Sequence, residues 1–458
     1  MQGFGPIATR SASTVAAFVL LLAAATWLAG PTGSPDLPPD KRQSARSTDS
    51  VSSIRPDGLI RVALSQKPVR EVQLRIEGPA RIVPLSGEAA PLVIDRALAE
   101  RTVVAGDSGV DLGDQLIAGD GIEIVPDASP ATWIDGRKYR GTVRLHVTSD
   151  GRLMPVNLLP LEDYVATVVD SEMPADFPDA ARQAQAIVAR TYAVSCRQTP
   201  LHRWFDLYST PVSQNYLGVV YRHSDGRLLA GETAAGRAAA AVTRGLVCTD
   251  RGSLFRTFYS ACCGGRTASG AEVFGDPAAA LCGGVECGGC DEAPLYRWSR
   301  TASGKRSFER LSRRAEARSP SFGTIQSVTT RDRDDGPAEV LLSDGRRTVR
   351  LDAAEVRTAL SLPSLFYELT GDGKRIVAHG RGHGHGVGLC QWGAKGLAER
   401  GLSAEAILKH YYPGCSLQKL PQETADGEAR STKSETNPKH ETPGFQTGSS
   451  IPFPPFGF

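Results

Sequence analysis

The chain has 458 residues, of which 41% are hydrophobic and 22% charged, and a net charge of +2. That is the balance of a soluble globular protein with room for two or three cores, not of a polyelectrolyte or a low-complexity chain. Near-neutral charge gives no electrostatic case for a nucleic-acid partner, and none is expected.

Arg10 precedes the apolar run "STVAAFVLLLAAATWLAGP". Its length lies between those of a secretory signal and a membrane anchor. The small residues of Leu28-Ala29-Gly30 suit a signal peptidase, whereas Trp27 suits an interfacial anchor. Residues 1–30 are therefore predicted to be a signal peptide or anchor, with export favoured. The body is then expected outside the cytoplasm, in the envelope or secreted, with the membrane as a partner only if the segment stays uncleaved. Residues 31–57 are rich in Pro, Ser and charge and read as a disordered linker.

From Leu59, "LIRVAL", "VQLRIEG", "ARIVPL", "IEIVP" and "TVRLHVTS" alternate β-branched and polar residues between Gly, Asp and Pro. Residues 58–158 are predicted to be a strand-rich lobe. Helical spacing starts at "LPLEDYVATVVDSEMP", where Leu161, Tyr164, Val165, Val168 and Val169 share a face before Pro174 ends the run. A second helix opens at about Pro178, with Asp179 in its first turn. Residues 240–300 read as strands and glycine loops. Strands at "IQSVTT", "AEVLLS" and "RTVRL" follow, then helices at "AAEVRTALSL", "GAKGLAER" and "SAEAILKHYY", the last capped by Ser403 and stopped by Pro413-Gly414. The fold class is α+β, a strand-rich lobe followed by a mixed helix/strand lobe over 159–418. The polar tail 419–458 is predicted to be disordered.

Nine cysteines, an odd number, are spread over residues 196–415. In an exported chain most should pair as disulfides, and that is the favoured reading. The C-x4-C-x2-C spacing of Cys282, Cys287 and Cys290 also suits a zinc knuckle. No cofactor is expected on balance, with zinc as the alternative.

Two constellations carry chemistry. Glu172 follows Val168 by four and Val165 by seven, so it projects from the face those residues bury, while Asp163 and Asp170 point to where solvated charges belong. A carboxyl on an apolar face resists ionisation, which suits a general acid near neutral pH. The alternatives are a glutamate that bends outward at the helix end or one that pairs with an arginine, Arg190 being the candidate partner. The second constellation is "HGRGHGHGVGLCQWG". It lacks the patterns of a phosphate cradle. His383 and His385, two apart on an extended segment, would face one side, yet no H-E-x-x-H or carboxylate pair completes a ligand set, and no metal site is assigned. The glycines suit a backbone that approaches a ligand closely, with imidazoles, Gln391 and Trp392 presented to it.

"LPLEDYVATVVDSEMPADFPDAARQAQAIVARTYAVS", "FYSACCGGRTASGAEVFG" and "GRGHGHGVGLCQWGAKGLAERGLSAEAILKHYYPGCSL" resemble, in this order, the stage II sporulation protein D family, which includes the LytB amidase enhancers. The resemblance covers about residues 59–418. It implies a lytic transglycosylase that cleaves peptidoglycan glycan strands, preferably stripped of stem peptides, in a groove of the mixed lobe. The essential glutamate of the family's E-M-P motif falls on Glu172, and the arginine of A-R-T-Y on Arg190. Tyr192, His385, Gln391 and Trp392 are the implied substrate-binding residues. Departures exist: G-H-G-H-G replaces the family's G-W-G-H-G, and Cys390 precedes Gln391 where the family has serine. His202 survives near the zinc site of some members, but Tyr208 and Ser213 stand where cysteines would be, so that site is not carried over. Cys390 is expected to pair with Cys415, leaving the central cysteines to pair among themselves. The rival functions are a non-catalytic wall-binding enhancer partnered with a cell-wall amidase, and a metal-dependent hydrolase built on the histidines.

Overall fold

A computed structural model describes residues 58–87, 90–275, 282–331 and 337–421. The expected export segment and linker, and all but the first residues of the expected tail, lie outside the described residues. No helix among the described residues is long and apolar enough to cross a membrane.

The fold is α+β. Strands from residue 59 to 160 build two sheets whose alternating apolar residues turn into one core, with Ile60, Val62, Val72, Leu74, Ile82, Ile122 and Val143 at its centre. One sheet has seven strands, with Leu153–Pro160 between Leu59–Ala63 and Thr142–Val147. The other has eight and takes in Val220–Arg222 and Leu228–Ala230 from later in the chain. This lobe does not stop at residue 158, because the same core is roofed by the first two helices.

Helix α1 (Leu161–Glu172) starts directly after Pro160 and buries Leu161, Tyr164, Val165, Val168 and Val169 against the sheets. Helix α2 (Asp179–Gln198) starts after Pro178, and fifteen of its twenty residues are buried. It is enclosed because it serves two cores. Ala186, Ala189, Ala193 and Val194 face the strand lobe, while Ala181, Ala184, Ile187 and Val188 face the second core. Its alanines let neighbours approach from both sides. Helix α3 (Ala234–Val242), which the sequence reading missed, covers the other side of α1. At Gly236 an added Cβ would lie 2.1 Å from Asp170 Oδ2, so only glycine fits that contact.

The second core gathers the short helix α4 (Gly270–Phe274), the cysteine loops and two later helices. A third core fills a six-stranded antiparallel sheet and its helices α5 (Lys305–Arg318) and α6 (Ala353–Leu360). The chain enters this sheet on Arg297–Ala302 and leaves it on Ile376–Arg381, which pair antiparallel with Arg297 opposite Arg381. It then returns to the second core through the glycine-histidine segment, the strand Leu389–Cys390, and helices α7 (Gln391–Glu399) and α8 (Ala404–Tyr411). Ser403 caps α8, its hydroxyl accepting from the amide of Ala406 at 3.3 Å.

Candidate active site around Glu172

Glu172 is the last residue of α1, and Met173-Pro174 carries the chain away from the helix. Its carboxyl is half-buried and accepts only from uncharged groups. The backbone N–H of Asn215 donates to Oε1 at 2.6 Å, and the Tyr259 hydroxyl donates to the same oxygen at 3.1 Å. The Gln391 amide also bonds to it. Burial removes water from the carboxylate and pushes its pKa up to about 7, and the neutral donors offset only part of that cost.

Two distant segments present these donors together. Tyr259–Ser260 pairs parallel with Leu389–Cys390, Tyr259 opposite Leu389, and Gln391 follows this short strand. Gln391 opens α7 and also donates from Nε2 to Gln185 Oε1 on α2 at 3.4 Å. Two further buried polar atoms near these residues, Gln185 Nε2 and Ser260 Oγ, have no hydrogen-bond partner among the described residues. Trp392 is partly exposed, with its ring edge-on to Phe177 at 5.4 Å and Lys395 Nζ 5.6 Å from its centre. Glu172, Gln391 and Trp392 thus share one region.

His385 meets the strand that carries Tyr259. It bonds to the Tyr259 backbone, its Nδ1 accepts from the Val387 amide at 3.1 Å, and Phe274 packs against its ring. Burial pushes its pKa down to about 3, so it is neutral. The expectation that His383 and His385 face one side of an extended strand is corrected. Gly382, Gly384, Gly386 and Gly388 all have φ between 70° and 102°, so the backbone coils instead of alternating. His383 exchanges backbone hydrogen bonds with Cys262.

Arg190 does not meet Glu172. It is fully buried in α2 and forms a two-pronged pair with Glu162 at the start of α1, with Nε to Oε1 at 2.9 Å and Nη2 to Oε2 at 2.7 Å. It also donates to the carbonyls of Leu246 and Ala240. Eight residues separate two α-helical turns and more, so Arg182 and not Arg190 reaches the far end of α1. Arg182 donates to the Pro174 carbonyl at 2.7 Å and pairs with Asp170. Asp170 is therefore not the solvated charge expected of it: Thr233 and Gly236 of the α3 region close over its carboxylate. Tyr192 is buried beneath the site, edge-on to Phe258 at 6.0 Å and hydrogen-bonded to Ser213 and Cys196. It supports the site from inside the core.

Sequence reasoning missed Asn215 and Tyr259. Asn215 acts through its backbone amide, which carries no residue signature, as well as through its side chain. Tyr259 lay inside the quoted "FYSACCGG" segment, where an aromatic ahead of a glycine pair was the only cue.

The cysteines also regroup. Cys390 gathers with Cys263, Cys287 and Cys290, whereas Cys415 bonds to Cys248 across neighbouring strands. The expected Cys390–Cys415 pairing is corrected, because Cys390 lies among Cys263, Cys287 and Cys290 while Cys415 meets Cys248. All nine thiols are unbridged.

Comparison with known proteins agrees with the motifs. The family model described as stage II sporulation protein matches residues 149–249, which include Glu172 and Arg190. An uncharacterized protein of Brachyspira hyodysenteriae is 29% identical over 380 residues, 81% of this chain and 95% of its own. The stage II sporulation protein D of Bacillus subtilis is 27% identical over 275 residues, 57% of this chain and 75% of its own. The amidase enhancer of the same organism is 26% identical over 334 residues, 62% of this chain and 44% of its own. Taken with the matched motifs, these likenesses make the chain similar to the stage II sporulation proteins, with the matched stretch 149–249 holding both Glu172 and Arg190.

Proposed function

We propose that the protein is a lytic transglycosylase of the cell envelope that cleaves peptidoglycan glycan strands between N-acetylmuramic acid and N-acetylglucosamine. The observation that carries this reading is a carboxyl raised to about 7 and held by three neutral donors, Asn215, Tyr259 and Gln391. Such a group is protonated in a large fraction of molecules at neutral pH and is also a competent base once it has given its proton away.

One carboxyl suffices for this reaction. Glu172 donates its proton to the glycosidic oxygen, the bond from that oxygen to the muramyl C1 breaks, and N-acetylglucosamine leaves with a free hydroxyl. The carboxylate then takes the proton from the muramyl C6 hydroxyl, whose oxygen bonds to C1 and closes a 1,6-anhydro ring. No water enters, and the enzyme ends in its starting protonation state. An ordinary glycosidase needs a second carboxylate for a nucleophile or a water. Tyr259, Asn215 and Gln391 hold the carboxylate between the two steps. The partly exposed Trp392 offers an aromatic face to a sugar ring, and the unspent donors of Gln185 and Ser260 suit hydroxyl or acetamido oxygens.

A wall-binding protein that stimulates a separate amidase is the second reading, favoured by the relative named as an amidase enhancer. Digestion of peptide-free glycan strands by the purified protein separates the two. Mass spectrometry should find 1,6-anhydromuramyl ends with the wild type and none with Glu172→Gln. Reducing ends alone would replace the mechanism with hydrolysis, and an inert wild type that still binds strands would favour the enhancer.

A further inference from the structure

We infer that Cys263, Cys287, Cys290 and Cys390 form a tetrathiolate site for one structural zinc ion. Their four sulfurs lie within 4.8 Å of one another, and all four residues are buried. The Cys263 and Cys290 sulfurs are 3.7 Å apart. A tetrahedral zinc with bonds of about 2.3 Å places its sulfurs about 3.8 Å apart. A disulfide would need about 2.05 Å, and would leave the other two sulfurs unexplained. An iron–sulfur cluster has several iron and sulfide atoms between its ligands and spreads them further than this group is spread.

Three chain segments converge to make the site. Cys263 follows the strand Tyr259–Ser260, Cys287-Gly288-Gly289-Cys290 is a tight loop, and Cys390 precedes α7. The surrounding donors suit thiolates rather than thiols. The amides of Cys263 and Gly393 each donate to Cys390 Sγ at 3.3 Å, and the Tyr411 hydroxyl lies 3.1 Å from Cys287 Sγ. Cys390 is moreover the N-cap of a nine-residue helix, where the backbone favours negative charge.

The glycines of "CQWGAKG" make room for this loop. A Cβ on Gly393 would sit 2.4 Å from Cys287 Sγ, and one on Gly396 would sit 2.3 Å from the Gly289 carbonyl. Helix α7 can therefore lie directly on the C-G-G-C loop. Cys262, Cys282, Cys248, Cys415 and Cys196 stand outside the set. The metal would pin the mouth of α7, and so the residue after Cys390, but the assignment does not depend on what Glu172 does.

The test uses the full chain, purified without tag, chelator or reductant. Elemental analysis should find one zinc per chain, and mercurial titration should release it in step with loss of four thiols. The Co2+-substituted protein should show thiolate-to-metal charge transfer and the intense visible bands of a tetrahedral site. Cys390→Ser should weaken zinc retention against a chelator at least about tenfold, whereas Cys248→Ser should leave it unchanged. Should the Cys390 variant fail to fold, the wild-type stoichiometry and cobalt spectrum decide. Non-reducing peptide maps with any of the four in a disulfide and no zinc bound would overturn the assignment. So would equimolar iron and acid-labile sulfide.

Discussion

Helix α1 carries a glutamate at each end, and the two stand in opposite chemical company. Glu162 meets the buried guanidinium of Arg190 through two charge-assisted bonds, an arrangement that fixes a carboxylate and ties α1 to α2. Glu172, ten residues on, meets an amide, a phenol and a carboxamide, none of which carries charge. The same side chain on the same helix is therefore held as a paired carboxylate at one end and pushed toward its protonated form at the other. Environment, not residue type, decides the role. The motifs that the chain resembles mark both Glu172 and Arg190, yet the structure gives them separate partners.

Four experiments would break or sharpen that contrast. The largest effect is expected for Glu172→Gln, which keeps shape and hydrogen bonding but holds no transferable proton. Turnover of glycan strands should fall on the order of 10³-fold with the fold intact, as read by product analysis and circular dichroism. Retained activity would move the acid elsewhere. Next, Arg190→Met should leave Glu162 without its cation and cost about 3 kcal/mol of stability in denaturant melts. Its activity per folded molecule should stay near wild type, and Glu162→Leu in the same chain should recover part of the loss. A large kcat defect in a fully folded Arg190 variant would return Arg190 to the catalytic group.

The third effect is pH-dependent. Folding raises the Glu172 pKa from 4.5 to about 7, so the folded state holds the proton more tightly than the unfolded chain. Stability from this source is complete below about pH 4.5 and is lost as pH rises through about 7. With its partial exposure discounted, the loss is about 1–2 kcal/mol. Above pH 7 Glu172→Gln should therefore be the more stable protein, and wild-type activity should decline on an alkaline limb near the same pH. The smallest effect is expected for Tyr259→Phe. Removal of a donor to the carboxylate should move that limb upward by less than about one pH unit and slow turnover several-fold.

The face that Glu172 shares with Val165 and Val168 was legible because helical periodicity is local. The partner of Arg190 was not, because Glu162 lies 28 residues earlier and meets it only where two helices pack. The metal-ligating pattern shows the same limit. Spacing joined Cys282 to Cys287 and Cys290, but the convergent set drops Cys282 and takes Cys263 and Cys390, the latter two 127 residues apart. Strand prediction succeeded where alternation was clean, as at Glu71–Ile76, and missed Leu98–Gly106, where exposed Ala99, Glu100 and Thr102 break the alternation. Helix α5 was missed because it buries little besides Leu311 and Ala315. The five strands quoted first and the helices α1, α2, α6, α7 and α8 followed from pattern. Asn215 and Tyr259, two of the three donors of the site, came from tertiary contact.

The six-stranded sheet enters and leaves through adjacent strands, with Arg297 opposite Arg381. Paired antiparallel residues lie about 5 Å apart, a gap that a tight turn spans. The intervening segment has its own core and is thus an insertion in the architectural sense, yet it stays tied to the segment that leads to Gln391, where the Gly384 amide donates to the Pro363 carbonyl and the Ser364 hydroxyl to that of Arg381.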